Sequence, residues 1–531
     1  MITRMTVQTR NIVCMVTCAA ILFFVLLSPA AAQTAPTLTI SRIEFVGNSL
    51  VSDDDLNQKL YSLFDRSLEM KDIDAIVSQV GFAYREYGHW AAAYLPEQTI
   101  ANGVLTVGVI EAKTGNFLAQ FETERSKLTE EDLFEIIMKG QEKGEFLDLR
   151  SLEYGIKKAN AISGVFVAAE LEEGQEDAAT DVTAFVQDTP VFNGSIIVDN
   201  HVAGGDAGRL GLRLGLESPL GYGEQFNLTS EKTKDTFSLD FGTSVGLQNE
   251  TFRAGLDIGY SDYSLGGSFA PLKIKGDVKK YEIKIYDIDL RDRDRNSPKL
   301  DISFNRTEAK DYILGSKKSD KQIQAFDIKI DAPLFNEADE GKLLNLSLFM
   351  KLGRIDLGVG SSAFSSDQST RKTHGDFAIA SVSLSGKRNL SERNILSGEV
   401  QAQFASKNLD GSQKLNLSGP TALRSLNIGD ASADAGVWGN VRYSYNRENG
   451  TSLYGFVEGA NAKLNHATWS GWDAGNTAIK NEVYALGAGI GAYLPFNDTF
   501  GLELVAAKLL NTNINNVKKQ TRFWAQATYN F

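Results

Sequence analysis

The sequence predicts two small α+β modules followed by an all-β transmembrane barrel of about 16 antiparallel strands. Three observations lead there. From about residue 191 onward, segments of about ten residues alternate large apolar side chains with small or charged ones, the length of a tilted bilayer crossing. Short polar turns and long irregular loops take turns between these segments. The chain ends on an aromatic residue, Phe531, in strand register with Tyr529 and Phe523. Composition agrees: with 48 glycines and only 10 prolines, one large β domain fits better than the three or four average domains that length alone suggests.

Residues 1–32 read as an export leader. Arg4 and Arg10 precede an apolar run from Ile21 to Leu27, and Ser28-Pro29-Ala30-Ala31-Ala32 has the small-residue spacing of a cleavage site, placed after Ala32. The run is shorter than the ~20 residues a membrane helix needs, so no such helix is expected in the mature chain. Both cysteines, Cys14 and Cys18, fall in the leader, and neither follows the small residue of a lipoprotein site. A thiol-free exported chain excludes disulfide frameworks, thiolate metal sites and cysteine catalysis. Loss of two arginines lowers the formal charge from −13 to −15, which argues against a nucleic-acid partner.

Two modules follow, over 33–112 and 113–190. An extended segment from Leu38 reaches Gly47-Asn48, after which Ser52 and three aspartates can cap a helix through Leu60 and Leu63. Ile73, Ile76, Val77, Val80, Phe82, Ala83 and Tyr87 recur near helical spacing until Gly88. Trp90 to Leu95 and Val104 to Ile110 read as strands. The helix, helix, strand, strand order returns as Ser126 to Lys139, Leu149 to Ile162, Val165 to Leu171 and Asp181 to Gln187, which argues for tandem modules.

The barrel occupies 191–531. Leu210, Leu212, Leu214 and Leu216 alternate with Gly211, Arg213, Gly215 and Glu217, and Phe252 to Tyr260 repeats the pattern. Turns are expected at Gln248-Asn249-Glu250, Asn446 to Asn449 and Pro495 to Asp498. Long loops are expected near Ser264 to Lys275, Gly353 to Lys372, Lys407 to Asp434 and Asn465 to Lys480.

The residues also resemble a family. Tyr94-Leu95-Pro96-Glu97-Gln98 with Gly103-Val104-Leu105 and Val109-Ile110-Glu111 looks like the end of the first polypeptide-transport-associated (POTRA) module of the haemolysin and haemagglutinin secretion transporters. Ala161-Ile162-Ser163-Gly164-Val165 and Leu171-Glu172-Glu173-Gly174 are similar to pieces of the second, and Glu217 to Gln225 resembles an early barrel turn of the family. The resemblance implies a two-partner secretion pore in the outer membrane, with POTRA modules in the periplasm. Its expected partners are a secreted polypeptide, outer-membrane lipid and, through Phe531 and Tyr529, the barrel assembly machinery. Cargo is expected to add as a strand at the module edge around Trp90, Ala92, Tyr94 and Leu95.

In that family a long loop folds into the lumen and its arginine meets an acidic residue of a Phe-x-Asp strand motif. Gly419-Pro420-Thr421-Ala422-Leu423-Arg424-Ser425-Leu426 looks like the tip, with Ser425 in place of a glycine and Leu426 in place of an aromatic. Phe456-Val457-Glu458 looks like the motif, so Arg424 and Glu458 are expected to pair as a planar fork beside Phe456. Too few residues follow Ala32 for the plug helix of some relatives, so closure is expected to rest on the loop.

No enzymatic site competes. His89, His201, His374 and His466 lack ligand spacing, the Arg291 to Arg295 run of alternating charge reads as a solvated turn, and no phosphate loop, nucleophile elbow or metal motif is present. No cofactor is expected. The rival readings are an assembly factor that inserts other barrels and a passive porin, the latter disfavoured because porins lack such modules.

Overall fold

The computed structural model describes residues 38–61, 67–68, 70–100, 103–122, 128–202, 208–246, 252–264, 271–291, 296–335 and 341–531. The leader, the turn at Gln248-Asn249-Glu250 and residues 292–295 of the charged run lie outside them. The chain divides into two compact units. One runs to Thr114 and takes in Gly144–Leu149 and Gln175–Ala179; the other holds Gly115–Lys143, Arg150–Gly174 and Thr180–Phe531.

In the first unit, a short β1 (Leu38–Thr39) leads into β2 (Arg42–Val46) and α1 (Asp53–Leu60). The Ser52 hydroxyl accepts from the amide of Asp55, and three aspartates fill the first turn, where the helix dipole favours anions. β3 (Ser67–Leu68) pairs with β1, and α2 (Met70–Glu86) follows. Ile73, Ile76, Val80, Ala83 and Tyr84 of α2 are buried, at helical spacing, on a sheet ordered β2-β5-β4, where β4 is Ala91–Tyr94 and β5 is Val104–Glu111. Phe82, read from the sequence as part of that stripe, faces outward.

Glu111 clips this unit together. Its carboxylate accepts from the amides of Ser49 and Leu50, each at 2.7 Å, from the Ser49 hydroxyl at 2.5 Å and from the Tyr84 hydroxyl at 2.8 Å. Burial pushes the carboxyl up, but these donors outweigh it and hold it below the usual carboxylate range. Burial, with the bond to Glu111, raises the Tyr84 phenol.

The second unit holds a sheet ordered β6-β8-β7: β6 is Lys113–Phe121, β7 Val165–Glu173 and β8 Ala179–Asp188. β6 had no clear alternation and was absent from the sequence-based expectation. Helices α3 (Glu130–Ile137) and α4 (Leu149–Asn160) accompany it. Thr129 and Asp132 form a reciprocal capping box on α3. A Cβ on Gly155 would stand 2.5 Å from the carbonyl oxygen of Ile137, so only glycine lets α4 approach this closely.

Sixteen antiparallel strands close into a barrel. They are β9 (Phe192–Asp199), β10 (Arg209–Glu217), β11 (Gln225–Lys232), β12 (Thr236–Gly246), β13 (Arg253–Ser264), β14 (Lys275–Asp289), β15 (Lys299–Ile313) and β16 (Ser316–Phe335). β17 (Lys342–Asp356), α5 (Ser362–Ser369), β18 (Gly375–Asn389) and β19 (Asn394–Ala405) follow. Two short loop strands, β20 (Leu415–Asn416) and β21 (Ser432–Ala433), precede β22 (Ala435–Asn446), β23 (Ser452–Lys463), β24 (Glu482–Pro495), β25 (Phe500–Thr512) and β26 (Thr521–Asn530). Closure abolishes sheet edges, as lipid demands. β14 to β18 are 15 to 20 residues long, beyond the predicted crossing length.

β26 closes on β9 through five residue pairs, Gln526↔Asp199 to Asn530↔Ser195. Phe531 extends the seam: its amide donates to Gly194 O at 3.0 Å, its carbonyl accepts from Gly194 N at 2.9 Å, and its ring lies 5.7 Å from that of Phe192. The β10–β11 turn meets the second module, with the Ser163 hydroxyl donating to Glu217 and Ile162 lying against Gly223.

Candidate pore gate and cargo edge

Parity decides which side chains enter the lumen. On β23, Leu453 and Val457 are exposed, whereas Tyr454, Phe456 and Glu458 are buried on the opposite face. On β26, Phe523 and Tyr529 are exposed, whereas Arg522 and Trp524 are buried. Beside them on β24 lie Gly487, Gly489 and Gly491. Added Cβ atoms would overlap the Phe456 ring at Gly489 and the Tyr454 ring at Gly491. At Gly487 one would overlap the Ser425 side chain and stand 3.0 Å from Glu458 Oε1. The glycines thus cut a recess into the wall.

The loop between β19 and β22 turns into this recess. β20 and β21 pair as its neck. Beyond the neck, Leu417, Ala422, Leu423 and Leu426 pack with Trp438, Ala462, Val483 and Leu509 of the wall. Leu426, where the family carries an aromatic, is fully buried in this cluster.

At the tip the Arg424 guanidinium stands 4.8 Å from the Phe456 ring centroid, and its Nη1 is 3.9 Å from Glu458 Oε2. The expected planar fork is therefore not formed, because that distance exceeds a hydrogen bond. Glu458 Oε1 instead accepts from the Ser425 amide at 2.7 Å, while the aromatic face draws the guanidinium aside. Arg424 and Glu458 keep a long ion pair, and the tip's backbone is held by others. The Trp524 indole donates to the Arg424 carbonyl at 2.7 Å. Arg522 donates to the Ser425 carbonyl, to Asn427 Oδ1 at 2.9 Å and to Asp430 Oδ2 at 3.3 Å. Sequence reasoning missed Arg522, Trp524 and Asp430. Parity against Phe523 could have placed the first two in the lumen, but nothing local joins them to a loop about a hundred residues away.

The cargo-edge candidates spread differently. β4 lies at the edge of its sheet. Trp90 precedes it and carries the Arg85 guanidinium 5.0 Å from its ring centroid. Ala92 and Tyr94 face outward, Tyr94 lying over Gly108, while Leu95 lies beyond the strand and packs on the core. The Ala112 amide donates to the Trp90 carbonyl at 2.9 Å. By ladder alternation Ala92 and Tyr94 also bond β5, so the backbone groups of Ala91 and Ala93 point away from β5.

A family model for the POTRA domain, ShlB-type, matches residues 38–112, and one for the haemolysin secretion/activation protein ShlB/FhaC/HecB matches residues 179–493, more than half of the chain. The chain belongs to the ShlB/FhaC/HecB family. Among relatives of this family, the heme/hemopexin transporter protein HuxB of Haemophilus influenzae is 23% identical over 498 residues, 90% of this chain and 84% of that one. The outer membrane transporter CdiB of Dickeya dadantii is 21% identical over 77% of this chain and 72% of its own. Solved CdiB from Escherichia coli shares the fold with a TM-score of 0.64 at 18% identity, covering 95% of this chain and 93% of that one. BamA from Haemophilus ducreyi, lacking POTRA domains 1–3, aligns at a TM-score of 0.55 and 14% identity, over 93% of this chain and 100% of that one. The chain is a two-partner secretion pore of the outer membrane, with its POTRA modules in the periplasm.

Proposed function

We propose that the chain exports one unfolded partner polypeptide, taken up by strand addition on β4 and passed through the barrel when the loop of residues 406–434 leaves the lumen. The observation that carries this reading is the inward loop, held at its tip by Glu458, Arg522 and Trp524 of the wall. A gate must be held firmly enough to close the pore and loosely enough to leave it. A few polar contacts around an incompletely bonded ion pair suit that, since Arg424 Nη1 and Glu458 Oε2 have no hydrogen-bond partner among the described residues. On the periplasmic side, the edge at Ala91 and Ala93 offers backbone groups to an extended chain with little regard to its sequence. The reading needs no catalytic residue. On this reading outer-membrane lipid surrounds the outward apolar side chains of the barrel.

Deletion of the gene, followed by comparison of culture-medium and outer-membrane proteomes, tests the reading. Loss of one large secreted protein is expected. A general loss of barrel proteins would instead make the chain an insertase, the rival reading of the sequence.

A further inference from the structure

The inward loop has the internal structure of a small folded body. Ser418, 1% exposed, lies at its centre. Its hydroxyl donates to the Ala431 carbonyl at 3.2 Å and accepts from the amides of Gly429 and Ala431 at 3.2 and 3.4 Å, joining the two arms. The Asn416 side chain bonds the backbone of Ser418 in both directions, at 3.0 and 3.1 Å. Backbone bonds run from Gly419 N to Leu423 O, from Leu426 N to Leu423 O and from Asp430 N to Asn427 O, each between 3.0 and 3.1 Å. Asp430 further accepts from the Asn427 amide at 2.7 Å.

Both feet of this body are pinned at the outer rim. The carboxylate of Asp434, fully buried, accepts from the amide of Leu409 at 3.1 Å and that of His466 at 2.7 Å, and pairs with Lys414 at 2.8 Å. The Asn408 side chain bonds the Arg371 carbonyl at 2.8 Å and the backbone of Ala467 at 2.8 and 2.9 Å, tying the loop to its two outer neighbours. The polar ties from tip to wall, by contrast, come from three side chains: Glu458, Arg522 and Trp524.

We propose that residues 415–433 leave the lumen as one preformed body, buckled by Ser418 and swinging on feet that stay fixed around Asp434. The hydrogen bonds that join the two arms of the body involve no wall residue, so release of the tip and of its apolar contacts with Trp438, Ala462, Val483 and Leu509 frees a bolt rather than unravelling a loop. The inference rests on the reading of this loop as the gate. Ser418 is a positioning residue in it.

A disulfide across the neck tests it. Asn416 and Ser432 are register partners in an antiparallel pair, within the span a disulfide accepts. The only cysteines of the sequence, Cys14 and Cys18, precede Ala32, the predicted cleavage site. Asn416→Cys with Ser432→Cys is made in the Arg522→Ala background, purified in detergent and recorded in planar bilayers, oxidised and after dithiothreitol. Bond formation is followed by maleimide labelling, and barrel integrity by the heat-dependent shift in gel mobility. The open fraction is expected to agree within about twofold between the two states. A tenfold or greater closure on oxidation, reversed by the reductant, would overturn the proposal, because the loop would then need to unravel to leave. If this pair fails to assemble, Leu415→Cys with Ala433→Cys tests the same neck. Absence of extra opening in unstapled Arg522→Ala would count against the loop as gate, a separate failure.

Discussion

Arg522→Ala is the perturbation that bears most directly on closure. The side chain is buried and makes three contacts with the tip: the Ser425 carbonyl, Asn427 Oδ1 and the carboxylate of Asp430. Hydrogen bonds to a charged group contribute about 1.5 to 3 kcal/mol each when both partners are desolvated. The withdrawn tip regains water, so a net of about 1 to 1.5 kcal/mol per contact is appropriate. The closed state should lose about 3 to 4 kcal/mol, and the ratio of open to closed pores should rise roughly a hundredfold to a thousandfold. Trp524→Phe removes one neutral bond to the Arg424 carbonyl, worth about 1 kcal/mol, and should raise the ratio only about fivefold. Single-channel recording of the purified variants measures both. An Arg522→Ala barrel that keeps its heat-dependent gel shift yet opens no more than about twice as often as the parent would refute the assignment of this residue to closure. A larger effect from Trp524→Phe would refute the ranking of contacts.

Glu111→Gln turns one acceptor oxygen into a donor among four donors and should destabilise the first unit by roughly 3 kcal/mol, measured by urea unfolding. Because the folded carboxyl sits below its unfolded value of about 4.3, its stabilisation is complete above that pH and fades as pH falls through the lowered folded value; a parent unit with unchanged stability down to pH 2 would contradict this. Ala93→Pro removes an outward N–H while leaving the β5 ladder intact, and should cut export several-fold with the melting temperature nearly unchanged; export at the parental level would exclude strand addition on this edge. Gly487→Ala drives a methyl into Ser425 and should increase pore opening, whereas unchanged conductance would mean that the tip does not rest in the recess. Deletion of Phe531 removes two backbone bonds and an aromatic contact at the seam, and the amount of heat-modifiable barrel in membrane fractions should fall.

Much of the architecture was legible because lipid makes a strict demand on sequence. Every crossing strand must show apolar side chains on one face only, so alternation, closure and the aromatic end could be read along the chain. The strand β6 escaped because its burial does not alternate: Thr114 and Gly115 are buried in succession, so Lys113-Thr114-Gly115-Asn116 shows no period of two. Phe82 misled for the converse reason: its apolar character suggested a core position, yet Tyr84 occupies the core because its hydroxyl has Glu111 to bond.

The candidate gate was half legible, and the division follows the range of the interactions. Parity and resemblance pointed to Arg424, Phe456 and Glu458, and all three do meet. What they cannot report is competition for a single acceptor. Glu458 has two oxygens, and the Ser425 amide, delivered by the buckled loop, reaches one of them before the guanidinium can bridge both. Once the tip's backbone takes the carboxylate, the arginine's better position is over the ring of Phe456, and the loop needs other cations to hold its carbonyls. Arg522 fills that role from the last strand, which closure of the barrel brings beside the loop. In such a pore the side chain that marks the loop and the side chain that holds it need not be the same, and only the closed sheet decides which is which.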